Sequence, residues 1–76
     1  MRRNEFVAWL SDTLAIPVDR VTPDASLANL GWDSLASINL TVMAEERWGA
    51  VVKEEDFRGV ATVGDLMDHF DPHFSD

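Results

Sequence analysis

Cysteine is absent from this 76-residue chain, which excludes disulfides and thiolate zinc sites as the means of holding a small fold together. A core built from roughly 70–80 residues is marginal in the stability it supplies, so the packing of secondary-structure elements must carry the fold unaided. Basic side chains are scarce as well. Six of them face 14 acidic ones, for a formal charge of -8. That balance repels nucleic acid and anionic lipid and attracts proteins with basic docking surfaces. Long apolar runs are missing: nothing approaches the roughly 18 residues of a membrane span. The N-terminal stretch from Met1 to Leu10 is interrupted by Glu5, and Asp12 follows, so it does not read as a signal peptide. The expectation is a cytoplasmic protein with no membrane or nucleic-acid partner. Internal repeats, low-complexity segments and strand-like alternation are also missing, while a hydrophobic content of 46% is that of a chain that folds.

What is present is helical periodicity. From Asn4 to Leu14 the apolar residues Phe6, Val7, Leu10 and Leu14 fall on one side of a helix, and Ile16-Pro17-Val18 ends it, because proline offers no donor and disfavours helical geometry in the residue before it. A loop from Asp19 to Trp32 follows, broken by Pro23, Asn29 and Gly31, with Val21, Leu27 and Leu30 spaced to pin it onto the core. Asp33 and Ser34 open a second helix that runs to about Trp48, where Gly49 supplies a left-handed cap. Its apolar residues form two stripes, Leu35, Ile38 and Val42 on one side and Leu40, Met43 and Trp48 on others, so the helix is either central or partly reserved for partners. Lys53 to Phe57 fits a single helical turn before Gly59. Thr62-Val63-Gly64-Asp65 matches a capping box for a last helix patterned by Val63, Leu66, Met67 and Phe70 and ended by Pro72. The expected architecture is all-α, a small three-to-four-helix bundle forming a single domain over 1–76, ordered from about 4 to 70 with a frayed tail over 71–76.

Leu30-Gly31-Trp32-Asp33-Ser34-Leu35 places a hydroxyl in the first turn of a helix directly after a glycine-bearing loop. The unpaired amides and the positive end of the helix dipole stabilise a phosphate at such a position. Taken alone the tripeptide Asp-Ser-Leu is as well explained by helix capping, since serine is a preferred helix-start residue.

In length, acidity, helix order and motif position, the chain from its first helix to Phe70 resembles the acyl carrier protein family. The resemblance implies that Ser34 is esterified by 4'-phosphopantetheine from coenzyme A, with Trp32, Asp33 and Leu35 around the attachment point. It implies a non-catalytic carrier that holds acyl or ketide intermediates as thioesters for separate enzymes: a phosphopantetheinyl transferase, an acyl-loading enzyme, a ketosynthase and other acyl-processing enzymes. It further implies that the second helix is the recognition helix, with Leu35, Ile38 and Val42 facing partners, Leu40, Met43 and Trp48 packing inward, and Asp33, Glu45 and Glu46 meeting basic enzyme surfaces. Trp32 is then either set against the arm, at the mouth of an acyl pocket lined by Leu27, Met43, Val60 and Leu66, or an aromatic that packs on a docking enzyme. Primary fatty-acid carriers commonly have acids where this chain has Ala36 and Asn39, and Arg47 lowers the negative charge further. The lead-in from Leu27 to Ala36, with an aromatic before Asp-Ser-Leu-Ala, is similar to that of type II polyketide carriers, which points to a specialised pathway. Met1 and the complete first helix suggest a free-standing protein, and visits to several enzymes suggest a monomer.

Other constellations are set aside. Ser34 with His69 or His73 and an aspartate lacks a strand-turn-helix elbow and the chain length for a cleft. His69 and His73 stand four apart, but Pro72 breaks the helix that would align them, and the carboxylates of Asp19, Asp24 and Glu54-Glu55-Asp56 lack calcium-loop spacing, so no metal is expected. The remaining alternatives are an aminoacyl carrier of the D-alanyl type and an unmodified, protein-binding adaptor of carrier fold.

Overall fold

The structure is a computed structural model and describes residues 1–75. Three α-helices form: α1 over Arg3–Leu14, α2 over Ser34–Trp48 and α3 over Val63–His69, with 3-10 turns at Val18–Arg20, Glu54–Phe57 and Asp71–His73. Among the described residues the one strand-like feature is an isolated antiparallel bridge between Ser26 and Thr62. This is the small helical bundle that the apolar spacing predicts.

α1 buries Phe6 and Leu10, one turn apart, as the i, i+4 pattern requires. It stops before the Ile16-Pro17 pair, because Ala15 turns left-handed at φ 55° and ψ 47° and the Ile16 amide donates back to the Ser11 carbonyl at 3.1 Å. α2 begins with the Asp33 carboxylate accepting from the Ala36 amide at 2.9 Å and ends at Gly49, left-handed at φ 65°. α3 starts on the expected capping box: Thr62 Oγ1 accepts from the Asp65 amide at 3.1 Å, and Asp65 Oδ2 accepts from the Ala61 and Thr62 amides at 3.2 Å each. It ends at His69, so Phe70, counted with the helix in the sequence pattern, is its C-terminal cap and is nonetheless fully buried.

The long connection between α1 and α2 is tied down as its apolar spacing implies, since Val21, Leu27 and Leu30 are all buried. Its backbone is fastened to the start of α3: the Leu27 amide donates to Ala61 O and the Val63 amide to Ala25 O, both at 3.0 Å, and the Gly64 amide donates to Pro23 O at 2.8 Å. A Cβ on residue 64 would stand 2.8 Å from that same oxygen, so this approach requires glycine.

The expectation of a frayed tail is corrected over its described part. Asp71 pairs with Arg3, whose guanidinium lies 5.0 Å from the centre of the Phe74 ring, and the Ser75 amide donates to Met1 O at 3.0 Å. Phe74 packs edge-on against Phe6 and Trp48 at 5.6 and 6.0 Å between centroids. The cause is long-range aromatic packing, which local propensity does not register. Asp76, the last residue of that expected tail, lies outside the described residues. Trp48 packs against both Phe70 and His73, at 5.2 and 5.5 Å between centroids, and its buried indole N–H has no acceptor among the described residues.

Candidate functional site

The first turn of α2 settles which residue caps it. The cap is Asp33, and Ser34 is the first helical residue behind it. The Ser34 side chain is exposed, and among the described residues nothing hydrogen-bonds its hydroxyl. The amides of Ser34 and Leu35 also lack acceptors among the described residues, because the intrahelical ladder begins with Ser37 N–H donating to Asp33 O at 3.1 Å. An uncommitted hydroxyl therefore stands beside two uncommitted donors at the positive end of a 15-residue helix.

Down the same helix the two apolar stripes separate by burial. Leu35, Ile38 and Val42 are 64%, 50% and 49% exposed, whereas Leu40 and Met43 lie in the core and Trp48 is half-buried against it. Glu45 continues the exposed stripe at i+3 from Val42, and Glu46 stands next to it, also exposed. Asn39 is exposed but Ala36 is buried, so of the two positions read as missing acids only Asn39 belongs to the surface.

The acyl pocket inferred from helical spacing is corrected. Leu27, Met43 and Leu66 are packed into the core at 0–6% exposure, while Val60 borders a groove. The space next to α2 is instead an open groove of about 670 Å³ lined by Trp32, Ser37, Lys53, Glu54, Glu55, Phe57, Arg58 and Val60. Trp32 forms part of its wall, half-buried, with its ring edge-on to Phe57 at 6.3 Å. Sequence reasoning missed Ser37, Phe57, Lys53 and Arg58 here. The turn over Lys53–Phe57 is legible as a turn, but no local signal places it across from α2. A smaller cleft of about 240 Å³, lined by Thr13, Leu14, Gly31, Asp33, Leu35, Ala36 and Asn39, lies on another side of the same helix start.

The histidines are engaged by aromatic rings: His69 packs against Phe57 and Phe70, and His73 stacks on Trp48. Among the described residues no three His, Asp or Glu side chains are grouped to hold a metal ion, and no helix is long and apolar enough to cross a membrane.

The bundle thus has an exposed hydroxyl at the head of α2 and an exposed apolar stripe down the same helix. The family model described as "Phosphopantetheine attachment site" matches residues 4–70. Over 64 residues the chain is 44% identical to acyl carrier protein MbtL of Mycolicibacterium paratuberculosis, covering 83% of this chain and 72% of that protein. It is 31% identical over 70 residues to the meromycolate extension acyl carrier protein of Mycolicibacterium aurum, covering 86% and 72%. It is 36% identical over 62 residues to the acyl carrier protein of Thermosynechococcus vestitus, covering 80% and 76%. The chain belongs to the acyl carrier protein family. It is a non-catalytic carrier, its prosthetic group is covalently attached 4'-phosphopantetheine, and the proteins it works with are a phosphopantetheinyl transferase and acyl-processing enzymes.

Proposed function

We propose that Ser34 is the attachment point and that the protein, a single carrier domain acting as a cytoplasmic monomer, holds acyl or ketide intermediates for a specialised biosynthetic pathway. The observation that carries this reading is the state of the Ser34 hydroxyl: exposed, without a hydrogen-bond partner among the described residues, and relieved of helix capping by Asp33. The residues fit the group. The free amides of Ser34 and Leu35 and the dipole of α2 stabilise a phosphodiester on that oxygen, while Asp33 holds the first turn in place. When attached, the arm supplies a terminal thiol on which an acyl group is held as a thioester. This chain's own part is presentation: Leu35, Ile38 and Val42 offer an apolar strip to a partner, and Asp33, Glu45 and Glu46 offer it negative charge. Tethering then raises the local concentration of the bound group at the docked enzyme.

A specialised pathway is supported by the exposed Asn39 and by Arg47 at the end of α2, which leave this face less negative than a general fatty-acid partner would select. It is also supported by the likeness to a meromycolate extension carrier. A ketosynthase and an acyl-loading enzyme are the expected partners on that reading. The test is intact mass spectrometry after incubation with coenzyme A and a broad-specificity phosphopantetheinyl transferase, beside Ser34→Ala. The expected result is a gain of one phosphopantetheinyl group that the substitution abolishes. No gain with several transferases would overturn the assignment and leave the exposed strip of α2 as the surface of an unmodified adaptor.

A further inference from the structure

The smaller cleft, of about 240 Å³, opens between the end of α1 and the start of α2 and shares no lining residue with the larger groove. Thr13 and Leu14 bring the last turn of α1 to one wall, and Leu35, Ala36 and Asn39, which recur at i+3 and i+4, form a single face of α2. Gly31 borders the cleft without a side chain to fill it, at a φ of 91° that glycine adopts freely. Charge is sparse here. The larger groove is bordered by Lys53, Glu54, Glu55 and Arg58, whereas the ionised side chain lining the cleft is that of Asp33. Its polar groups are uncommitted: among the described residues nothing hydrogen-bonds the Thr13 hydroxyl or the Asn39 side-chain amide. Asp33 spends Oδ1 on the Ala36 amide, which leaves Oδ2 as an acceptor.

Such a lining selects against an anion and against a bare alkyl chain. The Asp33 carboxylate repels the first, and the polar side chains of Thr13, Asp33 and Asn39 lose water to the second without gaining a partner. A neutral segment that carries both amides and methyl groups fits it. Amide N–H groups donate to Asp33, amide carbonyls accept from Thr13 and Asn39, and methyl groups cover Leu14 and Leu35, the latter 64% exposed. The prosthetic group of this family has such a segment: beyond its phosphate, 4'-phosphopantetheine continues with a gem-dimethyl carbon, a hydroxyl and two amides. The cleft also starts where that arm starts. Asp33 and Leu35 flank Ser34, and Asn39 is five residues on, about 7.5 Å along the helix axis. We propose that this cleft is a docking site for the arm itself, with Leu14 and Leu35 against the gem-dimethyl group and Thr13, Asp33 and Asn39 hydrogen-bonding its hydroxyl and amides. The proposal rests on Ser34 carrying the arm. Asn39 has a specific part in it, because its neutral amide both donates and accepts, whereas an aspartate there only accepts and adds a second negative charge near the phosphodiester.

The test is nuclear magnetic resonance on the holo protein. Isotope-labelled protein is converted with unlabelled coenzyme A and a broad-specificity transferase, and intact mass establishes conversion first. Failure to convert overturns the Ser34 assignment, and this inference with it, before any spectrum is read. Isotope-filtered nuclear Overhauser spectra then report which protein protons lie beside the unlabelled arm. The expected result is cross-peaks from the gem-dimethyl protons to the methyl groups of Thr13, Leu14 and Leu35. Cross-peaks to Trp32 and Phe57 instead, or to nothing beyond Asp33, Ser34 and Leu35, would overturn the proposal. Thr13→Val/Asn39→Asp keeps side-chain size and removes the donor at each position. The docked-to-free ratio of the arm is expected to fall about fivefold for each net hydrogen bond lost, at about 1 kcal/mol apiece, so that the Leu14 cross-peaks fade and the Leu14 amide returns toward its apo shift. Asn39 is exposed and the Thr13 hydroxyl holds nothing in place, so the fold is retained, as the apo spectrum of the variant checks. Thr13→Ser/Asn39→Gln, which keeps both donors, should leave the Leu14 amide near its wild-type holo shift. Leu14 cross-peaks undiminished in Thr13→Val/Asn39→Asp would overturn the proposal.

Discussion

Ala15 holds a conformation that its side chain opposes. It is the non-glycine residue with positive φ among those described, and the left-handed region costs an L-residue roughly 1–2 kcal/mol that glycine does not incur. Its side chain is exposed, so no packing offsets the strain. Ala15→Gly is therefore expected to stabilise the protein by about 1 kcal/mol, less whatever flexibility glycine adds to the unfolded chain, and to raise Tm by roughly 4–8 °C in a thermal melt. An unchanged or lower Tm would show that α1 does not end in this geometry. The same scale separates Asp33 from Ser34. Adjacent residues of similar helix-start preference have different tasks, one fixing the backbone and the other standing free of it.

At the scale of elements, the capping box of α3 ties three segments together, because its first turn also receives the loop before α2. Hydrogen bonds from the Ala61 and Thr62 amides, with the Thr62 hydroxyl, hold the Asp65 carboxyl below its ordinary range. A carboxyl depressed in the folded state adds stability at pH above its unfolded value, and that contribution is lost as pH falls through the lower folded value. Asp65→Asn is thus expected to be less stable than wild type near neutral pH, with the gap closing in acid below about pH 4; urea titrations at the two pH values measure it. A gap independent of pH would show that the charge of Asp65 contributes nothing. This box, α1 and α2 are legible in the sequence because their signals are local: period 3.6, a threonine three before an aspartate, a glycine after Trp48. The left-handed Ala15 is not legible, since alanine gives no sign of positive φ. The lining of the groove is not legible either, because Trp32 and Phe57 are far apart in the chain and meet only through the packing of the whole bundle. Spacing divides the apolar residues of α2 into two stripes without saying which faces outward; the family resemblance names Leu35, Ile38 and Val42 as the outer one, and these three are exposed.

Across the whole molecule, which measures 28 × 26 × 19 Å, the two ends of the chain are closed on each other by Arg3, Asp71 and Phe74. Phe74 is half-buried, so its removal forfeits part of a core aromatic's contribution. Phe74→Ala is expected to cost about 2 kcal/mol and roughly 8–16 °C of Tm, followed by circular dichroism. An unshifted melt would show that the C-terminal segment is not docked in solution. The rings that fasten this end run on without a break, Phe74 to Trp48 to Phe70 to Phe57 to Trp32, as far as the groove. The chain has no tyrosine, and its three tryptophans sit at separate stations: Trp9 on α1, Trp48 in the middle of the ring series and Trp32 at the groove. Emission excited at the red edge of the indole band, where phenylalanine does not absorb, is consequently all indole emission. With Trp9 and Trp48 replaced by phenylalanine, the remaining light comes from the groove wall alone, so the carrier is its own unlabelled optical probe of what lies there as it passes from one enzyme to the next.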